Sequence, residues 1–167
     1  MTGNNPTDRS KLGTKRHILT DTKGIPLSVA ISSASAHDIK LVTDVVDNIT
    51  IKRSSSITKR DLSRKRKLQH LCLDKAYNSK TVKQEIISRG YVPHLPCKRK
   101  RGEVKTETQK MSNRKKHPAR RWVVERTNSW HNRFRKLYTR YEKKVGNYLG
   151  LVQFSCCIII YRKIILG

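Results

Sequence analysis

The sequence predicts an α/β fold, and three observations carry that reading. Two β-rich runs flank a turn-forming Lys23-Gly24, apolar residues recur at helical spacing in later segments, and a short apolar run ends on Asp74. With 167 residues the chain suits one α/β domain with a real core, or the larger part of one.

Taken in order, "KRHILTDTKGIPLSVAIS" holds the runs His17 to Thr20 and Leu27 to Ile31 and predicts a β-hairpin. From Asp38 to Ile49 the apolar Ile39, Leu41, Val42, Val45, Val46 and Ile49 predict an amphipathic helix with Asp38 as its N-cap. The Ser- and Lys-rich segment Ile51 to Lys67 has no periodicity and reads as a surface loop, facing either solvent or a nucleic acid. "LQHLCLD", Leu68 to Asp74, predicts a buried strand. A helix follows from Ser79, its N-cap, to Arg89, and Gly90 ends it because glycine tolerates the left-handed conformation.

"YVPHLP" predicts a short edge strand, since proline cannot donate to a central ladder. From Lys98 to Lys116 the chain is basic and almost free of apolar residues, so residues 98–118 are expected to form a flexible arm outside the core. In "RRWVVERTNSWHNRFRKL", Arg120 to Leu137, a helical wheel gathers Val123, Thr127, Trp130, Phe134 and Leu137 on one side. Arg121, Glu125, Asn128 and Asn132 fall on another. "YLGLVQFSCCIIIY", Tyr148 to Tyr161, is short for a membrane span and is interrupted by Gln153 and Ser155, so it reads as a buried helix.

Charge narrows the partners. Lys plus Arg number 38 against 12 Asp plus Glu, a formal charge of +26, which calls for a polyanion and first of all a nucleic acid. An anionic membrane would demand a basic amphipathic helix or a long uninterrupted apolar span, so no membrane partner is expected. "MTGNNPTDRSK" shows neither a secretory signal nor a transit peptide. Cys72, Cys97, Cys156 and Cys157 have no C-x-x-C spacing and read as reduced packing residues of a cytoplasmic protein. His17, His70, His94, His117 and His131 lack metal-ligand spacing, so zinc is not expected, and the absence of a glycine-rich phosphate loop argues against an ATP-driven enzyme. His37-Asp38 reads as the start of a helix rather than a ligand pair.

Glu125 is a single carboxylate in a stretch that otherwise carries only positive charge and apolar bulk. One reading is a surface ion pair with Arg121, worth only about 0.2–0.5 kcal/mol. The other starts from Asp74, at the end of an apolar strand, where open α/β sheets bind their ligands. Two acids meeting in so basic a protein would form an oxygen-rich pocket suited to magnesium, with phosphodiester cleavage or strand transfer as the chemistry.

The motifs "PTDRSKLGTKRHILTDTKGIPLSV", "SAHD", "LDKAYNS", "GYVPHLP" and "RRWVVERTNSWHNRFRKLYTRYE", followed by the closing apolar helix, resemble in that order the carboxyl part of insertion-sequence-five family transposases. "LDKAY" alone is a weak signal, whereas "RRWVVERT" followed by "RFRKL" and "RYE" is specific. The resemblance implies a ribonuclease H-like mixed sheet flanked by helices and a DDE (Asp, Asp, Glu) triad that binds magnesium or manganese. Asp74 matches the second acid and Glu125 the last, as catalytic residues and metal ligands. Lys15, Arg16, Lys75, Arg120, Arg121, Arg126, Arg133 and Arg140 are the expected DNA contacts, at transposon ends and target.

No residue matches the first acid, which in the family lies on a strand upstream of "GNNPTDRSKLGTKRH". Asp8, in a polar loop, and Asp21, in the hairpin turn, read as structural. The expectation is therefore a ribonuclease H-like domain without its first, central strand, inactive alone. It would be either a remnant or the downstream product of frameshifting, completed by an upstream transposase fragment. The resemblance also implies a homo-oligomer acting on nucleoid DNA. Two rivals remain: a non-catalytic basic nucleic-acid-binding protein using the Lys98 to Lys116 arm, and a nuclease of the same fold.

Overall fold

The structure, a computed structural model, describes residues 2–5, 9–51, 69–95 and 121–166. Most of the expected loop at 51–67 and the arm at 98–118 lie outside the described residues, as does Asp8. The chain gathers into two compact units. One joins Met1–Ile51 to Arg121–Gly167, and the other is Lys52–Arg120.

In the first unit, strands β2 (Leu12–Thr20) and β3 (Pro26–Ser33) form the expected antiparallel hairpin, each longer than the sequence predicts. A two-residue strand β1 (Gly3–Asn4), which the sequence did not announce, pairs with the start of β2. The turn is built by Asp21, whose carboxylate accepts from the backbone N–H of Lys23 and of Ile25, both at 2.8 Å. Gly24 takes φ +83°, a conformation that costs a residue with a side chain about 1 kcal/mol or more. Asp21 is structural, as expected.

Strand β3 is covered on both faces. Its small Ser28, Ala30 and Ser32 are buried, and the Ser28 hydroxyl donates to the Val45 carbonyl of helix α1 (Val42–Asp47) at 2.6 Å. On the other face Val29 and Ile31 pack with Phe134 and Leu151 against a core of Leu137, Tyr148 and Val152. The predicted helix over Asp38 to Ile49 is thus shorter than expected: Asp38–Leu41 is a 3-10 turn, and only Val42–Asp47 is α-helical. The reason is Asp38 itself. Its carboxylate pairs with Lys15 at 3.0 Å instead of capping the helix, and His37 takes the cap position without a side-chain bond.

Helix α3 (Arg121–Asn132) ends earlier than its apolar stripe implies, so Phe134 caps a separate short helix α4 (Arg135–Tyr138). Helix α2 (Lys80–Ser88) belongs to the second unit. Helix α5 (Val145–Ile160) runs on through a π-helical turn, Tyr161–Ile165. Read as a buried helix, it is in fact buried on one face only. Tyr148, Val152, Ser155, Cys156 and Ile159 are covered, while Phe154, Tyr161 and Ile164 are exposed. Val145–Ile165 is long and apolar enough to cross a membrane by length and composition, with 28% of an 18-residue apolar window within it buried. Its covered face belongs to the core just described.

The second unit contains strands β4 (Gln69–Cys72) and β5 (Tyr91–His94), paired in parallel, with helix α2 (Lys80–Ser88) between them in the chain. Among its described residues, Leu71, Val82 and Ile86 are the buried apolar ones. Ser79 holds the predicted cap position, though without a side-chain bond, and Gly90 ends the helix with φ +80°. Among the described strands, the one holding Pro93 is paired on one side, which suits its missing N–H. The described strands thus form two sheets, β1-β2-β3 and β4-β5. Of the cysteines described, Cys156 is buried while Cys72 and Cys157 are exposed, so packing explains only the first.

A polar chain crosses the core of the first unit. His131, on α3, is 0% exposed, and its Nδ1 lies 2.7 Å from Ser155 Oγ. The Ser155 hydroxyl donates to the Val152 carbonyl at 2.7 Å, so its oxygen accepts from His131 and fixes the Nδ1–H tautomer. The bare Nε2 faces the Cys156 thiol at 3.7 Å. Burial pushes that thiol up to about 11, with Cys157 adding, so it stays protonated. Burial, assisted by the Arg16 guanidinium, lowers His131 to about 4.

Because the folded state binds this proton less readily than the unfolded chain, stability is complete above pH 6.5 and declines as pH falls towards 4. The loss is about 3 kcal/mol once both states are protonated. Urea unfolding from pH 7.5 to 4.5 should show this decline, and His131→Gln should flatten it.

Candidate active site

The site is built on α3, whose two sides have different partners. Val123 and Thr127 are buried, whereas Trp122, Val124 and Glu125 are exposed. The buried side is fastened to the hairpin turn. The Thr127 hydroxyl donates to the Gly24 carbonyl at 2.7 Å, and Arg126 Nη2 donates to the Lys23 carbonyl. Glu125 therefore stands on a helix held across 103 residues of chain, and its side chain faces outward. Asp74 belongs to the other unit. It lies two residues beyond the end of β4 with its side chain exposed, and its carbonyl accepts from Tyr77 N at 3.1 Å in a 3-10 turn, Lys75–Tyr77. Both predicted acids are exposed residues, each in its own unit.

Four of the expected DNA-contacting cations hold the fold together. Lys15 donates to Asp38 and to the Ala36 carbonyl, both at 3.0 Å. Arg16 Nη2 donates to Asn132 Oδ1 at 2.7 Å, tying β2 to α3, and its Nη1 is buried without a partner. Arg140 donates to Thr14 and to the Glu142 carbonyl and lies 4.9 Å from the Tyr148 ring. Arg126 sits between two indoles, 4.8 Å from Trp122 and 5.1 Å from Trp130. Arg133 is exposed. Arg120 and the side chains of Lys75 and Arg121 lie outside the described residues.

Burial holds His17 below its ordinary value, Asp38 opposing and Lys15 adding to that effect, and its Nε2 meets Ser32 Oγ at 2.8 Å.

Sequence reasoning missed two constellations. The Trp122, Arg126, Trp130 ladder has a signal in its spacing of four residues, which sets consecutive members one above the other on a helix. The other is His70 Nδ1 at 2.7 Å from His94 Nε2, on neighbouring strands, and no sequence spacing announces a cross-strand pair. Among the described residues no group of three or more His, Cys, Asp or Glu could hold a metal ion.

These features define a strongly basic α/β protein whose cations are partly committed to its own fold and whose two singled-out acids face outward. Residues 2–160 match the Transposase DDE domain family. The chain is 31% identical over 161 residues to a Burkholderia cepacia protein assigned as the transposase for insertion sequence element IS402, covering 96% of this chain and 69% of that relative. No solved structure matches. The chain belongs to the DDE-type transposases of insertion sequences.

The fastening of α3 makes its own predictions. A Cβ on Gly24 would meet Arg126 Nη2 and Thr127 Oγ1 at 3.1 Å and would also strain the positive φ, so Gly24→Ala should destabilise by about 1–3 kcal/mol. Thr127→Val, which keeps the shape and removes the donor, should cost about 1–2 kcal/mol. Urea midpoints of the two variants check both values.

Proposed function

We propose that this chain forms the catalytic part of an insertion-sequence-five type transposase, in which Asp74 and Glu125 are two of three metal-binding carboxylates that act on DNA phosphodiesters. The observation that carries the reading is Glu125. It is an exposed acid in a basic motif, on a helix whose opposite side is locked to the hairpin turn by Thr127 and Arg126. A carboxylate with so fixed a backbone is suited to a site where small misplacements are costly.

Carboxylate oxygens are the donors that magnesium or manganese prefers, and one or two of them commonly suffice alongside water and phosphate oxygens. Bound there, the ion would neutralise charge that builds up on the phosphodiester oxygens during in-line displacement. Asp74 and Glu125 would hold it, and cations such as the exposed Arg133 would grip flanking phosphates. The attacking groups would be water and then a freed 3′ hydroxyl. The third carboxylate has no match among these residues.

The element order supports a ribonuclease H-like sheet. A hairpin and helix precede a parallel β4-α2-β5 unit, an order that this fold also has. The charge of +26 supports DNA as partner, while a cytoplasmic, nucleoid-associated protein that assembles into multimers is what the family implies.

In a transposase with all three acids present, Asp74→Asn or Glu125→Gln should lower cleavage and strand transfer at least about a hundredfold and leave DNA retention intact. Undiminished cleavage would remove both acids from the chemistry. Retention without any magnesium-dependent cleavage would favour the non-catalytic binder, and cleavage without joining would favour the nuclease. Affinity for duplex DNA should fall with a log–log salt slope of about −0.9 per phosphate contact, read by filter retention between 50 and 200 mM salt.

A further inference from the structure

We infer that Trp122 is a stacking platform for an unpaired nucleobase of the DNA substrate, an inference that rests on the transposase reading above. Trp122 is 53% exposed, although indoles of this size are normally largely buried. One part of the ring is already occupied: the Arg126 guanidinium lies 4.8 Å from its centroid. That guanidinium is fastened to the Lys23 carbonyl, so it braces the indole against the hairpin turn and limits the orientations open to it. The remaining ring surface is open to solvent.

The other indole makes the contrast. Trp130 is half-buried and carries two cations, Arg126 and Lys163, each 5.1 Å from its centroid. Its ring is committed within the fold, whereas that of Trp122 has surface to spare.

Position gives the exposed indole its use. Trp122 and Glu125 stand three residues apart on one helix, so their side chains emerge from neighbouring points of its surface. A base lying on Trp122 would set its own phosphates beside the carboxylate. A polyanion drawn to a chain of charge +26 supplies such bases wherever a strand end is unpaired. Every base has a π-face, so the platform would be tolerant of sequence, and stacking of this kind is worth enough to alter affinity about tenfold. Its role is to hold a displaced base near the cut, a task distinct from that of the acids.

The test uses the full chain in two single-tryptophan forms. Trp130→Phe leaves Trp122 as reporter, and Trp122→Phe leaves Trp130. Each is titrated with single-stranded oligothymidylate and with a blunt duplex, and retention on filters is measured in parallel. Expected is strong quenching of Trp122 emission by the single strand and little by the duplex, with Trp130 nearly unaffected. Trp122→Ala should lose about tenfold in single-strand affinity, while Trp122→Phe, which keeps a stacking face, retains most of it.

Bound single strand without quenching of Trp122, or equal quenching of both indoles, overturns the platform and leaves the transposase reading standing. Failure to retain any DNA overturns both.

Discussion

The hydrogen bonds from Arg126 and Thr127 to the carbonyls of Lys23 and Gly24 are the constraint on which the first unit depends. They join segments 103 residues apart and bring residues before 52 and after 120 into one compact body. Closing so long a loop costs entropy that grows only slowly with its length, but the closure still needs fixed partners on each side. The hairpin supplies them as two carbonyls exposed by a turn that Asp21 and a positive-φ glycine set. Buried in the same body, His131, Ser155 and Cys156 link α3 to α5 through groups whose protons are all assigned.

Positive charge in this protein has two uses. Lys15, Arg16, Arg126 and Arg140 are turned inward to carbonyls, an amide, a hydroxyl and aromatic rings. Arginine suits this work because its planar group offers five donors and stacks on indole. A count of Lys and Arg therefore overstates how many cations are free for phosphate. Arg16, Arg126 and Arg140, bonded to neutral groups, keep their charge and still add to the positive field of the protein.

Much of the architecture was legible. Alternating apolar residues around Lys23-Gly24 specify the hairpin, because period two buries one face and glycine alone fits the turn without strain. Ser79 and Gly90 bracket helix α2 for equally local reasons. What could not be read depends on distant partners. The preference of Asp38 for Lys15 over a cap shortens α1, and nothing near Asp38 in sequence predicts it. The early end of α3, the bare face of α5 and the use of arginines as fasteners are likewise decided across the fold. For the site, the motifs single out Asp74 and Glu125, both exposed in the structure, while the bracing of Trp122 by Arg126 could be seen only once the helix was in place.

The separation of the hairpin turn from its fastener also bears on how the chain is made. A ribosome that has finished Gly24 must add about a hundred more residues before Thr127 exists, a delay of roughly 5–20 s at ordinary elongation rates. During that interval β2 and β3 are present with one covering face still unsynthesised, since Leu137, Tyr148 and Val152 come last. Newborn chains would therefore show bare strands to the cell for seconds, and holding chaperones would find them at that stage.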